Sequence, residues 1–343
     1  MKPTFLHTPV NGPFEDPCVY VRLLREKKAF LLDMGNIDRL PSGLLSKVAC
    51  AFVTHAHIDH FIGFDHLLRN MLGNTSALNI YGPSDIIEKV AGKLKGYSWN
   101  LIRQYPLRIE VFGISADEIR RTSFRAENAF EPVHGPALPF TGIALRETYY
   151  QVKAVVLKHD IDCIGWSIEE DFHINIDKAA LLEENLPVGP WLTVFKQKIR
   201  SGRPADSAFT VTLPGGEKNF TLAELKAKIA RITRGQKITY VMDSAPTGDN
   251  VGKIVDFAAG SDTLYIEAYF LDEDIERARQ RNHLTAGIAG RIARDAGAGN
   301  LVIMHHSPKY RLAPEAIIKE ASAAFGGPVI QARGTGRKPE VDF

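Results

Sequence analysis

The chain has 343 residues, 45% of them hydrophobic and 24% charged, with 42 Lys and Arg against 40 Asp and Glu, a formal net charge of +2. That apolar content and small net charge exclude an intrinsically disordered chain, and Gly (28) and Pro (19) near ordinary usage exclude a collagen-like or low-complexity one. It supplies no bulk attraction to polyanions, so the distribution of charge matters more than its sum.

In chain order, the opening MKPTFLHTPVNGPF is too polar and proline-interrupted for a signal peptide. Residues 19–24 and 29–33 read as strands joined by a charged turn. Residues 48–54 (VACAFVT) are a short apolar run that stops at His55, which predicts a buried strand. Phe61, Phe64, Leu68 and Met71 follow at helical spacing. Residues 79–81 read as a brief strand before Gly82-Pro83, and Ser84 as the cap of a helix over 85–94. Between 95 and 149 the pattern is weak, with one strand-like run at 107–112 and a proline-rich stretch at 131–136. Residues 152–157 (VKAVVL) form an apolar run ending at Lys158-His159-Asp160, with 164–168 as its antiparallel neighbour. Residues 171–234 are mixed, polar and rich in turns, and read as an inserted arm rather than core. Strands return at 237–242 and 263–268, then a charged helix at 273–282, a helix from Thr285 to Gly297, and a last strand at 300–304. The tail 331–338 is expected to be mobile. No apolar run approaches the roughly 18 residues of a membrane span. Three cysteines without CxxC spacing fit a reducing compartment. The expectation is a soluble, cytoplasmic protein with no membrane partner.

Several apolar strands stop at a metal-type ligand: Thr54/His55, Leu157/His159, Met242/Asp243 and Met304/His305. Ligands collect where strands end in layered α/β architectures, so these four ends point to one site. The densest piece is Thr54-His55-Ala56-His57-Ile58-Asp59-His60. Imidazoles at alternate loop positions can grip one ion from the same side, and Asp59-His60 can then face a second. Imidazole with carboxylate and no thiolate suits an open, catalytic zinc site. For a further imidazole, His134 and His173 compete with His159, but only His159 sits at a strand end.

HxHxDH after a strand resembles the metallo-β-lactamase fold superfamily. Asp33 in LLDMG is similar to the early structural Asp of that fold, and His159, Asp243 and His305 stand where it places its third His, bridging Asp and last His. Within the superfamily, the chain best resembles ribonuclease Z. Residues 54–68 resemble its THxHxDHxxGL stretch, 80–83 its strand-then-YGP, and 187–198 its Pro-x-Gly-Pro segment with following lysines. Residues 266–270 (IEAYF) resemble its HEATF, His283-Leu284-Thr285 its HS/T-type helix start, and 304–310 (MHHSPKY) its THxSxRY.

The resemblance implies an α/β fold, a four-layer αβ/βα sandwich in a single domain over 1–343, with 171–234 as a candidate inserted arm or exosite. It implies two Zn2+, with Mn2+ or another divalent metal as substitutes. One ion takes His55, His57, His159 and Asp243; the other takes Asp59, His60, Asp243 and His305, with Asp243 bridging. It implies cleavage of phosphodiester bonds, at precursor tRNA 3′ ends, by metal-bound hydroxide. Asp59 would help orient the nucleophile, and Glu267 would orient His283 as the acid. It also implies a homodimer. His57, in place of a carboxylate, disfavours the di-iron redox branch.

The resemblance departs at the N-terminus. Ribonuclease Z usually carries a Gly-Thr-Gly segment and an Arg-Asn-rich loop; here residues 5–13 read FLHTPVNGP and no Arg-Asn pair follows. That keeps a second reading open, a hydrolase of a small ester, cyclic nucleotide or other metabolite. Two purely basic runs in the arm, Lys196 to Arg203 and Lys226 to Lys237, would suit an RNA clamp, because phosphate contacts dominate nucleic-acid affinity.

Overall fold

The computed structural model describes residues 3–213 and 215–334. They fall into two compact units, the larger drawn from 5–144, 152–168 and 237–334, the smaller from 3–4, 145–151, 169–213 and 215–236.

Among the described residues, an eight-stranded sheet follows chain order: Phe5–Pro9, Val19–Leu23, Ala29–Leu32, Val48–Phe52, Leu78–Pro83, Arg108–Ile114, Glu118–Arg125 and Val133–Pro139. A seven-stranded sheet runs in reverse order: Val329–Gln331, Leu301–Met304, Thr263–Glu267, Lys237–Val241, Ile161–Glu170, Tyr150–His159 and Ile143–Arg146. The strands from Ala29–Leu32 to Arg108–Ile114 pair in parallel, as do the four from Lys237–Val241 to Val329–Gln331. Parallel neighbours need crossovers. Helices Ser42–Leu45, Phe64–Met71, Ile86–Lys95, Gly248–Ala258, Ala286–Asp295 and Pro314–Phe325 lie in these six connections.

Alternation along a strand sends successive side chains to opposite faces. Ala51 and Val53 join the core under the helices Phe64–Met71 and Ile86–Lys95, whose buried residues recur every three or four positions: Phe64, Leu67, Leu68, Met71 and Ile86, Val90, Leu94. Phe52, between them, turns the other way and meets the fully buried Trp166 of the second sheet at 5.2 Å. Phe30, Tyr81 and Phe112 extend this inter-sheet row. The outer face of the second sheet packs on the last three of these helices. Two of them cross closely at Gly290, where a Cβ would lie 2.5 Å from the Ala321 carbonyl oxygen. These layers form the expected αβ/βα sandwich.

Several local expectations change. Phe5–Pro9 is a strand. Residues 95–149 are rich in strands; Glu118–Arg125 (EIRRTSFR) is polar along much of its length and buries only Thr122, Ser123 and Phe124. Asp85, not Ser84, stands at the N-cap of Ile86–Lys95, with no side-chain cap bond. Thr285 does cap its helix, accepting from the Ile288 amide. Gln331 ends a strand, and residues 335–338 of the tail lie outside the described residues.

The smaller unit has its own core of Leu181, Leu186, Phe195, Phe209, Val211, Leu222, Leu225 and Ile229. Two antiparallel pairs, the long-range pair Phe172–Ile176 with Ala230–Arg234 and the hairpin Ala208–Leu213 with Gly216–Thr221, accompany three helices. Thr221 and Glu224 form a capping box on Leu222–Ile229. Its basic runs are partly spent inside. Arg200 turns toward the buried Glu170 carboxylate at 3.5 Å, and Lys228 and Arg231 pair with Glu184 and Asp177.

Candidate metal centre

The centre lies in the larger unit, at the ends of its strands. His55 follows Val48–Phe52, His159 ends Tyr150–His159, Asp243 follows Lys237–Val241, Glu267 ends Thr263–Glu267, and His305 follows Leu301–Met304. At several of these points the chain turns through left-handed backbone: Asp33 (φ 56°), Asp160 (54°), Asp243 (51°), Asn282 (56°) and His305 (55°). Such conformations cost on the order of 1 kcal/mol each for non-glycine residues, and they persist where packing over-determines them.

Three sets of side chains offer ligand atoms within 4.8 Å of one another: His55, His57, His159 and Asp243; Asp59, His60 and His305; and Asp243, Glu267, His283 and His305. Asp243 is shared. Its Oδ2 lies 3.5 Å from His55 Nε2, 3.4 Å from His60 Nε2 and 3.6 Å from His159 Nε2. His305 presents Nδ1 to Asp243 Oδ1 at 2.7 Å and Nε2 to Asp59 Oδ2 at 3.2 Å. The 2.7 Å contact is an ion pair by distance, yet neither atom has the geometry of a hydrogen bond. Nε2 of both His55 and His60 is likewise buried without one. Unpaired buried polar atoms are costly, and this donor set, nitrogen and oxygen without sulfur, fits divalent metal.

The ligand atoms are aimed by outer contacts. His60 Nδ1 donates to Asp33 Oδ2 at 2.8 Å, which directs Nε2 inward. Asp33 is itself fixed by the Thr54 amide and hydroxyl (2.7 and 3.0 Å) and by the Tyr240 hydroxyl (2.9 Å). His159 Nδ1 donates to the Asn282 carbonyl at 2.8 Å. Glu267, fully buried, accepts from the Ser244 amide at 2.7 Å and from His283 Nδ1 at 2.8 Å. The His283 ring stacks on Tyr269 with centroids 4.0 Å apart.

Burial lowers the His55 pKa to about 2, so its ring is neutral and able to ligate. At His305 burial is outweighed by the Asp243 charge, and the pKa rises to about 10. Burial of Asp59 is likewise overcome by His305 and His60, which hold its carboxyl low. At His283 burial opposes the charged ring, but Glu267 raises the pKa. Without metal, then, His305 lies between the Asp59 and Asp243 carboxylates as an ion pair, while His55 stays neutral with its Nε2 free of any hydrogen bond.

Of the competing imidazoles, His134 contacts Thr122 on a strand at the sheet edge, and His173 lies in the smaller unit against Glu170. His159 is the one in the cluster. His66 pairs with Asp38 on the surface, His7 contacts the Tyr265 hydroxyl, and His306 reaches the Ala268 carbonyl. Sequence reasoning missed Asn282 and Tyr269. Asn282 carried one signal, a residue tolerant of left-handed backbone at a helix end.

No family model matches the chain. A protein named ribonuclease Z from Deinococcus radiodurans is 29% identical over 300 residues, 86% of this chain and 87% of that protein. One named ribonuclease BN from Proteus mirabilis is 29% identical over 90% of each. Among solved structures, the metallo-β-lactamase fold protein YhfI from Bacillus subtilis superposes with a TM-score of 0.56 at 15% identity, over 96% of this chain and 97% of that one. By fold the chain is a metallo-β-lactamase-fold protein, and by sequence it is similar to proteins named ribonuclease Z and ribonuclease BN.

Proposed function

We propose that the chain is a metal-dependent phosphodiesterase that cleaves RNA, with precursor tRNA 3′ ends as its substrate class. The observation that carries this is the clustering around Asp243 of buried ligand atoms that make no hydrogen bond (His55 Nε2, His60 Nε2, Asp243 Oδ1). His55, His57, His159 and Asp243 would hold one ion, and Asp59, His60, Asp243 and His305 a second. Zinc is the metal that this donor set suits best. Two such ions lower the pKa of water and neutralise charge on phosphodiester oxygens.

The chain's own groups do the rest. Asp59 holds a proton-accepting oxygen beside His305. Glu267 accepts from His283 Nδ1 and favours the charged ring, which leaves the proton on Nε2 as the one to be given away. His283 then offers its proton to the leaving oxygen. Fluorogenic precursor tRNA and bis(p-nitrophenyl) phosphate test this together: the zinc-loaded protein cleaves both, and inertness toward both would end the proposal.

Residues 171–234 would serve as an RNA exosite through Arg203 and Lys226, which line a cavity of about 360 Å³ in the smaller unit. The inward Arg200 and the paired Lys228 and Arg231 favour a second reading, a small phosphodiester or ester substrate, because they reduce the positive surface. A steep fall of RNA affinity with salt decides for the exosite. A homodimer, implied by the family resemblance of the sequence, would be detected by sedimentation velocity. The buried free thiols Cys18, Cys50 and Cys163 support a reducing, cytoplasmic setting. Among the described residues, no helix is long and apolar enough to cross a membrane.

A further inference from the structure

Helix Ile275–Arg281 ends on Asn282, whose φ is 56°. The carbonyl of Asn282 accepts the hydrogen bond from His159 Nδ1 at 2.8 Å, across 123 residues of sequence. Its side-chain amide donates to Asp160 Oδ1 at 2.6 Å. Asp160 is also left-handed and exposed, at the turn between the strands Tyr150–His159 and Ile161–Glu170. The residue after Asn282 is His283, whose ring centroid lies 4.9 Å from that of His159.

An imidazole that offers Nε2 to a metal needs its proton on Nδ1 and a fixed acceptor for it. A main-chain carbonyl can be that acceptor only while its backbone conformation holds. Left-handed backbone is strained for most residues, and least for Gly and Asn. Glycine would satisfy the backbone alone. Asparagine adds a bond to the residue next to His159, so two contacts rather than one tie position 282 to the 159–160 turn.

We propose that Asn282, braced by Asp160, is a positioning residue that fixes His159 and His283 relative to each other. It grips the first through its carbonyl and precedes the second in the chain. The Asn282–Asp160 bond thereby holds the metal-binding and proton-donating parts of the centre at one spacing. This rests on the reading of His159 as a ligand and His283 as the proton donor.

The test compares Asn282→Asp, Asn282→Gly, Asp160→Asn combined with Asn282→Asp, and wild type. Three quantities are read: the zinc dissociation constant by chelator competition, the His159 Nδ1–H resonance in the metal-free protein, and the metal-free Tm. Asn282→Asp sets carboxylate against carboxylate. It is expected to weaken zinc about 10- to 100-fold, the range for outer contacts of metal ligands, and to broaden or remove the Nδ1–H signal while Tm barely moves. The double variant reverses donor and acceptor and should return zinc affinity to within a few-fold of wild type. Asn282→Gly, which keeps the carbonyl but loses the brace, should fall between. At saturating zinc, kcat of Asn282→Asp should stay reduced, because His283 has moved as well.

Wild-type zinc affinity and Nδ1–H signal in both single variants would overturn the proposal. So would a loss that the double variant fails to restore. Should Asn282→Asp not fold, Asp160→Ala cuts the same brace from its exposed side and must show the same zinc loss. If wild type binds no zinc, the ligand reading has failed, while the Nδ1–H signal and its response to Asn282→Asp still decide whether the brace exists.

Discussion

At the scale of single residues, the centre is a set of groups each satisfied by a neighbour, with a few atoms left over for metal. Glu267 and His283 show how one pair sets a proton. The carboxylate raises the His283 pKa against the effect of burial. A raised pKa keeps the ring charged to higher pH, so activity that needs its proton is retained below that pKa and lost as pH rises through it. Glu267→Gln removes the charge while keeping the shape. The alkaline limb of the kcat profile is expected to move to lower pH, with kcat down about 10²-fold or more. A limb that stays in place would show that His283 is not the acid. Much of this scale was legible in the sequence, because HxHxDH concentrates its ligands within six residues. What was not legible is the reach of a backbone carbonyl. The hydrogen bond from His159 to Asn282 joins residues 123 apart, and no side-chain type announces an acceptor that every residue carries.

At the scale of elements, the short helix Ile58–Phe61, which carries Asp59, is fixed by close backbone packing. A Cβ on Gly63 would lie 2.3 Å from the Gly35 carbonyl oxygen, and one on Gly35 would lie 2.6 Å from Asp16 Cβ and 2.7 Å from the Asp59 carbonyl oxygen. Three segments therefore meet where only hydrogen fits. Gly63→Ala is expected to destabilise by ~1–3 kcal/mol, as overpacking does, and to weaken zinc binding because it displaces the segment bearing Asp59. Unchanged Tm in a calorimetric scan would contradict this. Strands such as Val48–Phe52 were readable because they are continuous apolar runs, buried on both faces. Glu118–Arg125 was not, since it buries only part of its length and carries Glu118, Arg120, Arg121 and Arg125. The core of the smaller unit was hidden for a related reason: Leu181, Phe195, Phe209 and Leu225 come from separate short elements whose flanks are polar.

At the scale of the whole molecule, pH should act on the metal-free protein from two sides. Burial lowers the pKa of His7 and of His306 to about 4, against roughly 6.5 in an unfolded chain. Protons therefore bind the unfolded state first. The stability contributed by the neutral rings is present above about 6.5 and lost as pH falls toward 4. His305 works in the opposite sense, its contribution being full below about 6.5 and lost as pH rises through about 10. The metal-free Tm should thus decline on both sides of neutrality, and His7→Gln should flatten the acid side; an acid slope identical to wild type would contradict the His7 assignment. The near-zero net charge conceals this, because it counts residues and not the neighbours that set their protonation. The most direct test of the central claim is metal content measured beside turnover for wild type and Asp243→Ala, since Asp243 is shared by both proposed ions. Wild type is expected to hold close to two equivalents of zinc and to cleave precursor tRNA and bis(p-nitrophenyl) phosphate. The folded variant is expected to hold less than one equivalent and to lose at least about 10³-fold in kcat. A folded Asp243→Ala protein with wild-type zinc content and turnover would contradict a dinuclear centre bridged at Asp243.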